Sequence, residues 1–148
     1  MYKNSQGYAD PTAGAAMSNI MKEYRQNQRK EWRKLYEIRS RPKCYIVSPY
    51  AGDIDTHVDE AIRFSRYAVS QGYICIASHL MYPAILSDSD PEQRQLGLQF
   101  GIALMDICDE VWVLTDDPSD ISSGMAGEIH EAKKAGKKIR YFKREVIA

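Results

Sequence analysis

The sequence predicts an α/β domain: a flavodoxin-like or Rossmann-like three-layer fold with a parallel sheet of four or five strands, preceded by a basic N-terminal helix. Three observations predict it. Four short runs, Cys44-Tyr-Ile-Val47, Tyr73-Ile-Cys-Ile-Ala77, Val111-Trp-Val-Leu114 and Ile139-Arg-Tyr-Phe142, alternate with longer stretches of helical periodicity. The first three lack polar alternation, as strands covered on both faces do. Strands that alternate with helices imply right-handed crossovers, and therefore a parallel sheet with helices on both sides.

The chain of 148 residues has the size of one domain, large enough for one sheet and its helices and too small for a second full domain. Residues 1 to 16, with Gly7, Asp10, Pro11 and Gly14, read as an irregular, flexible arm. Residues 17 to 41 read as one basic amphipathic helix. There Met17, Ile20, Met21, Tyr24, Trp32, Leu35 and Tyr36 recur mostly at helical spacing, Ser18 is a possible cap, and Arg and Lys fill the other faces. The α/β domain then occupies residues 42 to 148.

Within that domain the first strand ends at Ser48-Pro-Tyr-Ala-Gly-Asp53, where Pro and Gly mark a loop. Val58, Ile62, Tyr67 and Val69 predict a helix over residues 55 to 70, ended by Gly72. After the second strand, residues 78 to 90 read as a long connection containing His79 and Pro83. Asp90 as cap and Pro91 at the first helical position open a helix to about Ile107. The third strand, a glycine-bearing loop, a helix to Ala135 with Gly136 as its stop, and the fourth strand complete the order.

Formal charge is balanced, yet residues 22 to 43 carry a net +6 and residues 44 to 148 a net −6. A basic helix can neutralise nucleic-acid phosphates. Here an apolar stripe and three interrupting acids favour docking on the acidic domain or on a second subunit, so nucleic acid is not the expected partner. No apolar run approaches the roughly 20 residues of a membrane span. The N-terminus lacks the apolar core of a signal peptide, so the expected location is cytoplasmic. Cys44, Cys75 and Cys108 lie far apart among apolar neighbours and read as inert buried thiols. Neither a metal nor a cofactor is expected, and Asp116-Asp-Pro-Ser-Asp120 reads as a solvated acidic turn rather than an oxygen cage.

In parallel sheets, ligands bind beyond the carboxyl ends of the strands. Three segments converge on that rim: Ser48 to Asp53, Ala77 to His79, and Thr115 to Gly124. The most telling stretch is Ile121-Ser-Ser-Gly-Met-Ala-Gly-Glu128, a loop entering a helix. Unsatisfied amides there suit a phosphate or sugar hydroxyl held by Ser122, Ser123 and Gly124, with Glu128 facing the same crevice. The competing reading makes Glu128 a solvated helix-start glutamate favoured by the dipole. Tyr50 reads as a ligand contact or a packed loop aromatic, His79 as a rim hydrogen-bonding group or a ligand contact, and Asp109 as a strand-opening residue or a site residue.

Residues 44 to 142 resemble the nucleoside 2-deoxyribosyltransferase-like superfamily, and more closely its small phage and bacterial branch. The matching residues are Ser48-Pro-Tyr-Ala-Gly52, Ala77-Ser-His-Leu80, Cys108-Asp-Glu-Val-Trp-Val113 and Ser123-Gly-Met-Ala-Gly-Glu128. The opening Tyr2-Lys-Asn-Ser-Gln-Gly-Tyr-Ala-Asp-Pro-Thr12 also looks like that of proteins from phages and mobile elements of Gram-positive bacteria. The resemblance implies hydrolysis or exchange of an N-glycosidic bond, with Glu128 as nucleophile through a covalent glycosyl intermediate. The implied ligand-binding set is Ser48, Tyr50, Gly52, His79, Asp109, Ser122, Ser123, Gly124 and Met125. The implied partner is a nucleoside, nucleotide or ADP-ribose-type molecule, and the implied assembly is a homo-oligomer. One departure stands out. The superfamily's second carboxylate falls at Gly101, which leaves Asp106, Asp88 or Asp90 as substitutes. General acid help is typically worth about 10²- to 10⁴-fold. The alternative is therefore a non-catalytic phage-type protein that binds and sequesters a nucleotide or ADP-ribose-derived defence signal.

Overall fold

The computed structural model describes Lys3, Gln6, Gly7 and residues 10 to 148. The other positions of the expected arm, Met1, Tyr2, Asn4, Ser5, Tyr8 and Ala9, lie outside the described residues, and with them much of the Tyr2 to Thr12 opening. The chain divides into two units, residues 1 to 40 and 41 to 148. In the first, helix α1 spans Pro11–Arg39. It begins before Met17 because Asp10 caps it, accepting from the Ala13 amide at 2.9 Å, and Pro11 fills the first helical position. Residues 11 to 16 are thus helical and not irregular. Trp32 and Tyr36, one turn apart, stack at 5.2 Å.

The second unit is a four-stranded sheet in the order β2-β1-β3-β4. The strands are β1 (Lys43–Val47), β2 (Ile74–Ile76), β3 (Glu110–Leu114) and β4 (Lys138–Phe142). All pairings are parallel. The connections are α2 (Ile54–Ser70), α3 (Ser78–Ile85), α4 (Pro91–Asp106) and α5 (Ser123–Lys134). The predicted fold class is the observed one, with four strands. The predicted long connection at residues 78 to 90 is mostly α3, a two-turn helix that carries Pro83 inside it. Proline normally argues against a helix interior, which is why the pattern read as loop.

Alternation along β1 and β3 divides the core. Tyr45, Val47, Val111 and Val113 face Met105 of α4 and Met125, Ile129 and Ala132 of α5. Cys44, Ile46, Trp112 and Leu114 face Phe64 and Ala68 of α2 and Ile147 of the last turn. Each fully buried large apolar side chain contributes about 1.5–3 kcal/mol. Burial raises the Cys44 thiol to about 12 and the Cys108 thiol to about 11, so neither supplies a thiolate near neutral pH. No helix among the described residues is long and apolar enough to cross a membrane.

The acidic turn after β3 is more than a solvated loop. Arg144, just past β4, places Nε 2.9 Å from Glu60 Oε2 on α2, and its Nη1 contacts Asp116 and Asp120. The Arg144 amide also donates to Asp116 Oδ1 at 2.8 Å. That hydrogen bond, helped by the guanidinium, lowers the Asp116 carboxyl below its ordinary range. A folded-state value below the unfolded one makes this contribution complete at neutral pH and lost as pH falls through the lowered value. Arg144→Met should lower unfolding free energy by about 2 kcal/mol, less than for a fully buried pair because the cluster is partly exposed. Denaturation midpoints at neutral pH check this.

Candidate functional site

Because all four strands are parallel, the segments after β1, β2 and β3 open on one rim. Each is shaped by local chemistry. After β1, Gly52 adopts φ +92°, a conformation that side-chain-bearing residues rarely take. Asp53 caps α2, with Oδ2 accepting from Thr56 Oγ1 at 2.7 Å. His57 of α2 reaches back to the Tyr50 carbonyl, with Nδ1 at 3.2 Å from the oxygen. The loop holding Tyr50 is thereby tied at both ends. Ser48 is buried beneath it.

After β2 the chain turns straight into α3, placing Ser78 and His79 in its first turn. The His79 ring stacks on Tyr50 with centroids 5.3 Å apart and planes inclined by 10°. Its Nε2 lies 3.1 Å from Glu128 Oε1, and a carboxylate can only accept, so the imidazole donates.

After β3, Ser122 caps α5 and accepts from the Met125 amide at 3.2 Å. Glu128 lies on the same helical face as Met125, Ile129 and Ala132, the stripe that packs on the sheet. That register makes it 8% exposed, not a solvated helix-start residue. Oε1 is held by His79, whereas Oε2 is buried without a well-formed hydrogen-bond partner. A buried oxygen left this way costs about 1–3 kcal/mol or more for a charged group, a cost that recurs where function requires it.

Position 101 is sterically closed to a side chain. Tyr45 of β1 sends its hydroxyl across to Ser78 Oγ at 2.7 Å. A Cβ on Gly101 of α4 would sit 2.9 Å from that hydroxyl and 3.4 Å from Ser78 Oγ. The phenol fills the space an acid at residue 101 would need. Burial, and next the charge of Glu128, push the Tyr45 phenol far above its ordinary range, so it stays protonated. Gly101→Ala should therefore cost about 1–2 kcal/mol, overpacking outweighing better helix propensity. In a Tyr45→Phe background the same change should be neutral or stabilising. A double-mutant cycle in urea reads the sign reversal.

Several expectations need correction. Asp109 precedes β3 and accepts from the Lys43 amide at 2.8 Å, clamping the starts of β1 and β3. It stands at the opposite end of the sheet from the rim, about 16 Å away at the ordinary strand rise, and is a structural residue. Met125 buries its side chain in the core, and its amide is occupied by Ser122, so it offers a ligand little. Gly124 lies within the first turn of α5, not in a preceding loop. Asp90 caps α4, accepting from the Glu92 amide at 3.0 Å. Asp106 ends α4, on the side where Lys137 Nζ bonds its carbonyl and that of Cys108. Ser122 and Ser123 remain exposed at the rim. Tyr45, Ser78 and His57 were missed. The available signal was a tyrosine inside a buried strand, whose hydroxyl needs a partner.

The family profile "Domain of unknown function (DUF7768)" matches residues 42 to 142, and the chain belongs to that family. A comparison with curated proteins finds no match. Among solved structures, a 2-deoxyribosyltransferase from the psychrotolerant bacterium Bacillus psychrosaccharolyticus is similar, with a TM-score of 0.54 and 18% identity over 68% of this chain and 72% of that one. A 2-deoxyribosyltransferase from Leishmania mexicana aligns with a TM-score of 0.46 and 14% identity over 69% of this chain and 64% of that one. The first likeness is one of fold, a nucleoside 2-deoxyribosyltransferase-like arrangement of sheet and helices.

Proposed function

For this member of the DUF7768 family we propose cleavage or exchange of the N-glycosidic bond of a nucleoside or nucleotide, with Glu128 as nucleophile. One observation carries the reading: a carboxylate on the sheet-facing stripe of α5 keeps one oxygen bound to His79 and leaves the other buried without a well-formed hydrogen bond, near the Tyr45 hydroxyl. A carboxylate beside an anomeric carbon stabilises oxocarbenium-like charge and can form the glycosyl ester. Tyr50 would contact the base or sugar from its tethered loop. Ser48 and Gly52 would shape the same pocket, and Ser122, Ser123 and Gly124 would meet the 5′ end at the start of α5. No metal or cofactor is required by this chemistry.

The purified protein is expected to release free base from at least one of three substrate classes: nucleosides, deoxynucleoside monophosphates and NAD-type dinucleotides. Glu128→Ala should abolish release. Chromatographic detection of the base is the assay. A second reading draws on Gly101: without a second carboxylate the pocket would bind and sequester a nucleotide or an ADP-ribose-derived signal. Tight stoichiometric binding with every compound recovered intact would favour that reading over catalysis.

A further inference from the structure

Resting on the nucleoside-cleavage reading, the geometry points to His79 as the acid–base residue of the site, taking the role for which residue 101 has no side chain. Departure of a base from an anomeric carbon needs a proton on the leaving nitrogen, and the water that later cleaves the ester must lose one. Among the described residues, His79 and Tyr45 interact with the carboxylate, and Ser78 is bonded to Tyr45. The Tyr45 phenol is held protonated by burial and by the Glu128 charge, and its hydroxyl is engaged with Ser78 and Glu128. A serine hydroxyl is a poorer donor still. Imidazole is the side chain that both gives and takes a proton near neutral pH.

The placement suits the task. Nε2 is committed to Glu128 Oε1 at 3.1 Å, and the Tyr50 ring fixes the plane of the imidazole. Nδ1, on the other side of the ring from that bond, is the nitrogen assigned to the leaving base. A separation of about 5–5.5 Å between acid and nucleophile is the spacing of double-displacement glycoside cleavage. His79 is only partly buried and lies nearer solvent than Glu128.

The steps balance. Glu128 Oε2 forms a bond to the anomeric carbon as the C–N bond breaks. The electron pair of that bond goes to the base nitrogen, which takes the Nδ1 proton of the imidazolium. Water then attacks the anomeric carbon and gives its proton to Nδ1, and the ester C–O pair returns to Glu128. The sum is nucleoside plus water to free sugar plus base.

The test compares a purine nucleoside with its N7-methylated counterpart, whose cationic base leaves as a neutral molecule without taking a proton. With enzyme in excess, so that only the C–N cleavage step is read, His79→Gln is expected to slow release from the unmodified nucleoside by about 10²-fold or more, while release from the methylated one changes less than about threefold. His79→Asn should behave alike, and unchanged denaturation midpoints would show that both variants fold. Glu128→Gln should abolish both reactions. Equal slowing of both substrates by His79→Gln would make His79 a positioning residue and overturn the assignment, as would no effect on either. Asp88 is the rival donor, since its charge reaches Tyr50. A leaving-group-specific loss in Asp88→Asn would move the role there. Wild-type protein inactive on both substrates would overturn nucleoside cleavage itself, an outcome distinct from activity that ignores His79.

Discussion

Glu128→Gln is expected to raise the unfolding midpoint while reducing base release by about 10³-fold or more. The two effects have one cause. Glu128 is 8% exposed and sits in a stripe whose other members are Met125, Ile129 and Ala132. Ionised, it must shed most of its hydration, and only Oε1 recovers a strong hydrogen bond, the one from His79. Glutamine keeps an oxygen for that bond and removes the charge that is costly to bury. A gain of about 1 kcal/mol follows, or roughly 4 °C for a domain of this size. The same exchange removes the proposed nucleophile, and loss of a nucleophile costs many orders of magnitude in characterised enzymes. A residue kept at the expense of stability marks a functional position. Calorimetry and base release on the same preparations check both halves. A lower midpoint in Glu128→Gln would mean that the carboxylate serves the fold, and the functional reading would lose its chief support.

The sequence carried those features that depend on neighbours along the chain. Asp90-Pro91 announced α4 by cap and first-turn chemistry, and the apolar runs announced three of the strands. The same Asp-Pro signature at Asp10-Pro11 opens α1, yet the glycines around it suggested an irregular arm. Helix α3 escaped because Pro83 lies within it and eight residues offer too few periods to see. At the site, Glu128 was legible from Ser-Ser-Gly-Met-Ala-Gly-Glu. Its burial was legible too, once the 125, 128, 129, 132 stripe is drawn. Illegible were the contacts between distant elements. Tyr45 and Ser78 are 33 positions apart, His79 and Glu128 are 49 apart, and the pressure on residue 101 arises from both hydroxyls at once. Asp109 went the other way. Its position relative to the strand start, not its residue type, decides that it faces the far end of the sheet.

These cross-element contacts give the rim its rigidity. Tyr50 is held by His57 through its carbonyl and by His79 through its ring. His79 is held by Tyr50 and Glu128, and Tyr45 braces α3 through Ser78. Four segments meet through side chains that are each fixed by a neighbour, the condition for a preorganised site. The sheet beneath must be equally firm, and its firmness turns on β3.

Trp112→Ala is expected to remove about 3–5 kcal/mol of unfolding free energy, out of the roughly 5–15 kcal/mol a domain has in total. Trp112 is fully buried at the middle of β3, the strand flanked by β1 and β4. Its ring lies 4.5 Å from Phe142, 4.7 Å from Tyr73, 6.2 Å from Phe64 and 6.2 Å from Tyr67. The Arg140 guanidinium covers it at 4.9 Å. Alanine would strip the centre from this cluster, and its neighbours are anchored on β4, α2 and the start of β2, so the cavity cannot collapse without moving three elements. The indole Nε1 has no hydrogen-bond partner, so the loss would come from packing and not from a polar contact. Trp112→Phe keeps much of the ring and discards the unpaired donor, and it should cost no more than about half as much. Urea midpoints at constant slope separate the two variants. Equal losses for Phe and Ala would show that the size of the indole, filled to its edge, governs the stability of this face.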